Sequence, residues 1–202
     1  MNKFTKLILI LLSFTPILIV KHTNAQDPME FFTDQITISG SGCPKNTLEN
    51  IAFGNEFATI FNSFQAVANP KQIINSQCNL SIPVNIPAGY TIHDITIIST
   101  GFADVPKGGY ASINTKIMSD TLTIGFANKI FTSGYSSGYE LTTKATTPRL
   151  GSCSSSKTTI LKINTNLTAS AMNAKTPTTL NLSTQDISTK NSLRFIFKYN
   201  PC

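Results

Sequence analysis

Cys78-Asn79-Leu80-Ser81-Ile82-Pro83-Val84-Asn85-Ile86 decides the fold of this chain. Leu80, Ile82, Val84 and Ile86 recur at every second position, with Asn79, Ser81, Pro83 and Asn85 between them. A period of two puts the four aliphatic side chains on one face of a strand and their neighbours on the other. Pro83 has no N–H to give a ladder, so the strand is expected at a sheet edge or with a bulge. Pro87-Ala88-Gly89-Tyr90 then ends it as a turn.

The same alternation extends in both directions. Upstream lie Ile36-Thr37-Ile38, Phe57 to Phe61 and Phe64 to Val67. Downstream come Ile92 to Ile98, Tyr110 to Met118, Leu122 to Phe126, Tyr139 to Ala145, Ile160 to Leu167, Leu180 to Leu182 and Leu193 to Tyr199. Lys107-Gly108-Gly109 and Asp120 punctuate them as turns, and Ser133 to Tyr139 reads as a loop rich in Gly and Ser. Pro148 to Ser156 reads as irregular around Cys153. No segment sustains an apolar period of 3.6; Phe53 to Phe64 comes nearest and is compatible with strand or a short helix. Short strands separated by turn signals predict an all-β chain, an antiparallel β-sandwich of jelly-roll type. Residues 35–202 are expected to form that single domain, with residues 26–34 as a loose lead-in.

The start of the chain has the pattern of a secretory signal peptide. Lys3 and Lys6 precede Leu7 to Val20, which is apolar apart from Ser13, Thr15 and Pro16. Thr23-Asn24-Ala25 supplies small and polar residues for cleavage after Ala25. The apolar run is about 14 residues, short of the roughly 20 that span a bilayer, and no later stretch is apolar enough to do so. Secretion is therefore expected. Removing residues 1–25 takes Lys3, Lys6 and Lys21, leaving 13 of the 16 basic residues against 10 acidic ones. The basic residues are scattered singly, so a nucleic-acid partner is not expected. Abundant Ser, Thr and Asn, sparse charge and the absence of Trp fit an extracellular β domain.

Cys43, Cys78, Cys153 and Cys202 all follow the leader. Four cysteines allow three pairings, and spacing alone does not choose. The preferred pairing joins nearest neighbours, Cys43–Cys78 and Cys153–Cys202; on the loop-entropy model each bridge contributes roughly 4 kcal/mol. Zinc needs clustered ligands. The cysteines are far apart and His93 is the one histidine after the leader, so no metal and no cofactor are expected.

Catalytic equipment is thin. His93-Asp94 is the one adjacent pair resembling acid–base machinery, and on a regular strand neighbours point to opposite faces. A Ser-His-Asp triad needs a nucleophile on a special turn, and serines are too common in this chain for one near His93 to carry meaning. The acidic residues form no recognisable pair of the kind a glycosidase needs. Tyr110, Tyr135 and Tyr139 lie in or beside Gly-rich segments and are candidate ligand contacts, the alternative being ordinary packing at the rim of a sandwich. Asn79, Asn166 and Asn181 head glycosylation sequons, which have meaning only in a eukaryotic source.

Gly40-Ser41-Gly42-Cys43-Pro44 carries a family resemblance. Cys78 follows, opening the strand that closes in Ile86-Pro87-Ala88-Gly89-Tyr90; then come Gly101, Gly108-Gly109, Cys153 before Ile163-Asn164-Thr165-Asn166-Leu167, and an aromatic strand ending at Cys202. In that order these blocks resemble the secreted proteins grouped as domain of unknown function 4360. Two departures stand out: Ser76-Gln77 where a basic residue is expected before the second cysteine, and no Trp before Cys153. The resemblance implies secretion, four paired cysteines and a β-rich domain. It implies no activity.

These readings converge on a secreted, non-catalytic binding or surface-interaction module. Its partner would be an extracellular polymer or protein, met by the loops Lys107–Tyr110 and Ser133–Tyr139. The alternatives are a coat-type component associating through strand edges and an extracellular hydrolase.

Overall fold

The structure, a computed structural model, describes residues 30–44, 48–53, 56–182 and 192–202. The expected leader and its cleavage site lie outside the described residues. Thirteen strands occur among the described residues: β1 (Glu30–Phe31), β2 (Thr37–Ser39), β3 (Leu48–Phe53), β4 (Glu56–Phe61), β5 (Gln65–Ala68), β6 (Ile73–Ile86), β7 (Tyr90–Val105), β8 (Tyr110–Ser119), β9 (Leu122–Thr132), β10 (Tyr135–Ser152), β11 (Lys157–Ser170), β12 (Thr178–Asn181) and β13 (Ser192–Pro201). A short 3-10 turn, Thr33–Gln35, is the one helical element among the described residues.

Every strand pair is antiparallel. The path runs β1-β6-β11-β8-β9-β10-β7-β13-β4-β3, with β2 on β6 and β12 bridging β7 to β5. The sheet curls sharply between β9 and β10, which share a single pair, Ala145 opposite Gly125. The curl brings the ends of the path together. The Phe31 ring of β1 lies 5.7 Å from Phe57 of β4 and 5.2 Å from Phe197 of β13. Leu80, Ile82, Ile113 and Ile163 on one side meet Ile95, Ile97, Phe195 and Phe197 on the other, all essentially fully buried in one core. Each such side chain contributes about 1.5–3 kcal/mol by leaving water. This is the all-β antiparallel architecture expected from the alternation.

The bridges are Cys43–Cys78, with Cα atoms 5.3 Å apart, and Cys153–Cys202, at 5.7 Å. The first ties the segment after β2 to the middle of β6. The second ties the end of β10 to the end of β13, where the Cys202 N–H also donates to the Gly89 carbonyl at 2.8 Å.

Several expectations need correction. The strand containing Pro83 is interior, not an edge: β11 pairs along its whole length and β1 and β2 take the other side. Pro83 falls between the segments paired to β2 (Asn79 to Ser81) and to β1 (Val84 and Asn85). Its carbonyl accepts from the Phe32 N–H on that side. In an antiparallel strand a residue's N and O point the same way. The missing donor thus faces the gap between two short partners, where no ladder bond is lost. Of the expected lead-in, Glu30–Phe31 forms β1, with Phe31 held in the aromatic core, and residues 26–29 lie outside the described residues. The loop expected over Ser133–Tyr139 shrinks to a turn at Ser133-Gly134, and β10 begins at Tyr135. β10 also runs on to Ser152, through most of the stretch read as irregular, with a register shift between Thr146 and Leu150. Within Phe53 to Phe64, Phe53 ends β3 and Glu56–Phe61 is β4, the strand alternative of the two.

Arg194 of β13 grips Glu56 of β4 with two bonds, 2.8 and 2.7 Å. The Arg194 hydrogen bond holds the Glu56 carboxyl below its ordinary value. A lowered carboxyl pKa gives stability present above the unfolded value and lost as pH falls through the folded one. The pair is exposed, so the effect is small. An NMR titration of Glu56 should show a midpoint below the ordinary 4.5, and Arg194→Gln should return it there.

Candidate functional site

The outer face of β2, β6, β11, β8 and β9 is a broad surface carried by five strands. Register fixes it. Inward-pointing Leu80, Ile163 and Ile117 are buried, so their neighbours Asn79, Asn164 and Lys116 point out, and these are direct partners across the sheet. The row continues to Ser39 on β2 and Phe126 on β9. Two residues further along, Gln77 of β6 partners Asn166 of β11, which partners Asn114 of β8, which partners Asn128 of β9. The next row is Asn75, Thr168, Ser112 and Ile130. The central rows of the face are thus paved with amides and hydroxyls; its exposed apolar members include Phe126 and Ile130 along β9, Ile73 on β6 and Ile160 on β11.

Hydrogen bonds close some of these rows. Asn164 Nδ2 donates to Asn79 Oδ1, Gln77 Nε2 donates to the same oxygen at 3.3 Å, and Thr168 Oγ1 donates to Asn75 Oδ1 at 2.8 Å. The Oδ1 of Asn166 is buried and has no partner among the described residues. Of the sequons, Asn79 and Asn166 belong to this face. Asn181 is buried, and its Oδ1 accepts from the Phe102 N–H at 3.2 Å.

The three tyrosines do not come together. Tyr110 is exposed and partners Ser170 and Thr132 in the last row of the same outer face. Tyr135 is half-buried, with its ring 5.0 Å from Phe131 and its hydroxyl donating to the Gly138 carbonyl at 2.9 Å. Tyr139 is in the core; its ring lies 4.8 Å from Phe131 and its hydroxyl donates to the Asn181 carbonyl at 2.9 Å. Burial, with a minor contribution from Tyr135, drives its phenol far above the usual tyrosine range. Tyr139 is a structural side chain, because a strand that starts at Tyr135 turns it inward. The turns nearby do converge: the Gly108 N–H donates to Ser133 Oγ at 3.1 Å and the Gly134 N–H to the Val105 carbonyl at 2.7 Å.

At the opposite end His93 corrects the reading of regular alternation. Asp94 partners Lys198 of β13 while Ile92 partners Tyr199, so His93 is an extra residue in β7. A bulge of this kind re-aims side chains. It sets His93 Nδ1 3.3 Å from Asp94 Oδ2, the couple that a regular strand forbids. His93 lines a shallow cavity of ≈ 360 Å³ with Thr91, Cys153, Asn200, Pro201 and Cys202. Both cysteines there are in the disulfide, and no described hydroxyl is hydrogen-bonded to the imidazole. An acid thus orients a base, but no nucleophile is poised on it. No group of three His, Cys, Asp or Glu side chains suited to a metal occurs among the described residues, and none of the described helices is long and apolar enough to cross a membrane.

Residues 30–202 match the family described as domain of unknown function (DUF4360). No curated protein matches the chain. Two solved structures are similar at low identity. One is TmCBM61 in complex with β-1,4-galactotriose, at 13% identity, TM-score 0.31, over 81% of this chain and 89% of that one. The other is the enzymatically active domain of tailspike protein 4 of bacteriophage CBA120, at 11% identity and TM-score 0.28. It is covered over 20% of its own length and 85% of this chain.

Proposed function

We propose, for a chain that belongs to the DUF4360 family, a non-catalytic binding module that works outside the reducing cytosol. The outer face of β2, β6, β11, β8 and β9 is its ligand surface. One observation carries the reading: a broad sheet face in which five strands hold hydrogen-bonding side chains in register, with exposed Phe126, Ile130 and Tyr110 along one side. Strands fix side chains more rigidly than loops, so a ligand meets a preformed pattern and little ordering cost. Two disulfides support the extracellular setting, since such bridges persist where thiols are not kept reduced.

The test is an array of extracellular polymers and proteins probed with the disulfide-bonded chain, followed by hydrogen-exchange footprinting of the bound state. Protection should fall on β6, β11, β8 and β9. Protection confined to the His93 cavity, or turnover of an array member, would overturn the reading.

A further inference from the structure

We propose that the row Gln77–Asn166–Asn114–Asn128 binds the hydroxyl groups of an uncharged glycan strand lying across β6, β11, β8 and β9; this rests on the face being the ligand surface.

The row differs from those beside it. Asn79 with Asn164, and Asn75 with Thr168, spend their polar atoms on each other. Asn166, Asn114 and Asn128 stand in direct register on three adjacent strands, yet their side chains make no hydrogen bond with any described residue. Directly opposed side chains are within about 5.5 Å at Cβ, so the absence of mutual bonds among these three leaves amide groups open to a ligand, while Gln77 at the end of the row already gives its Nε2 to Asn79. The Oδ1 of Asn166 is withdrawn from solvent and unpaired, which puts it out of a ligand's direct reach, so Asn114 and Asn128 carry the contact. A carboxamide presents two donors beside an acceptor with two lone pairs. Neighbouring hydroxyls on a sugar ring offer the reciprocal set, each both donor and acceptor.

Charge narrows the class. The row is neutral, and no carboxylate stands at the outward positions of these four strands. Lys116 lies in the next row and Lys162 one row beyond it. A phosphate-bearing or polyuronate strand would call for cations within the row itself. A protein partner calls for an apolar centre with a polar rim; here amides hold the central row, and the exposed apolar side chains Phe126, Ile130, Ile73 and Ile160 stand around it. Phe126 and Ile130 flank Asn128 along β9, where the apolar face of a sugar ring can pack. Strands about 4.8 Å apart spread the four amides over roughly 14 Å, room for a short run of sugar rings.

Affinity electrophoresis of the disulfide-bonded protein through gels containing neutral glucan, galactan or mannan, with a polyuronate gel alongside, tests this. At least one neutral polymer should retard the protein, equally at low and high salt, because no charge pair is involved. Asn114→Ala and Asn128→Ala should each weaken retardation about tenfold with an unchanged melting temperature. Asn128 is exposed, so its variant reports even if Asn114→Ala folds poorly. Three results would overturn the assignment: no retardation by any neutral polymer, retardation by polyuronate alone that salt abolishes, or neutral binding indifferent to both substitutions. If the exchange footprint with another ligand still falls on this face, the glycan assignment fails and the surface stands; if it falls elsewhere, both fail.

Discussion

Replacing Cys43 and Cys78 together with alanine should cost about 2–5 kcal/mol and lower Tm by on the order of 10 °C. Both cysteines are buried, at 2% and 1% exposure, and belong to the core. The substitution therefore frees the unfolded chain and also leaves unfilled volume beside Phe64 and Leu80. Cys153 and Cys202 are exposed and close a longer loop, a separation of 49 residues against 35. Chain entropy alone ranks the longer loop as the larger contributor. Packing ranks the buried bridge first, because losing the exposed one lets the end of β13 fray while the core stays closed. Calorimetry of the two double variants decides between them. We expect C43A/C78A to melt lower than C153A/C202A, and the reverse order would show that loop closure, not burial, sets the contribution.

The strands were legible because most of them obey one rule. Leu80, Ile82, Val84 and Ile86 point inward as their spacing demands. The same rule hides what it does not contain. β8 and β11 put Thr115 and Thr165 inward beside Ile113 and Ile163, where their hydroxyls meet at 3.4 Å. A buried threonine satisfied by another looks like a surface residue until the partner strand is known. His93 failed for a different reason: Ile92 and Ile95, both buried, stand three apart, a break in the period of two that marks the bulge and that a regular strand from Ile92 to Ile98 does not allow for.

The candidate face was the least legible part. Asn114 and Asn128 are unremarkable in a chain rich in asparagine, and Asn166 stood out only as the head of a sequon and as part of a family block. They become a row only through two strand registers, Asn166 against Asn114 and Asn114 against Asn128. Tyrosines attract attention in a sequence because they are scarce, and that signal selected Tyr139, which the fold uses internally. The Gly40-Ser41-Gly42-Cys43-Pro44 block was conspicuous for a reason that is now physical. Gly40 has a φ of +130°, and a Cβ there would stand 2.1 Å from the Gln77 carbonyl oxygen. The block is the close approach that lets Cys43 reach Cys78.

Gly101→Ala should be as damaging as the loss of a bridge, on the order of 3 kcal/mol or more, although it adds one methyl group. Gly101 sits where β7 changes partner, from β13 as far as Ser99 to β12 from Phe102. A Cβ at this position would stand 2.0 Å from the Asn181 carbonyl oxygen and 2.7 Å from the Tyr139 hydroxyl. Those are the two atoms that bond each other at 2.9 Å. Tyr139 is also the direct partner of Gly101 across β10, so its ring lies over the glycine and its hydroxyl reaches past it to β12. One methyl therefore meets a backbone atom that cannot rotate away and breaks a buried bond in the same place. Tyr139→Phe removes the bond without the overlap and leaves the Asn181 carbonyl unsatisfied, which costs about 1–3 kcal/mol. Urea unfolding of the two variants should give Gly101→Ala the larger loss, and the double variant less than the sum, since both act on one bond. Additive losses, or a Gly101→Ala protein as stable as the parent, would mean that β12 moves aside freely and that the junction between β13 and β12 is not held by this contact.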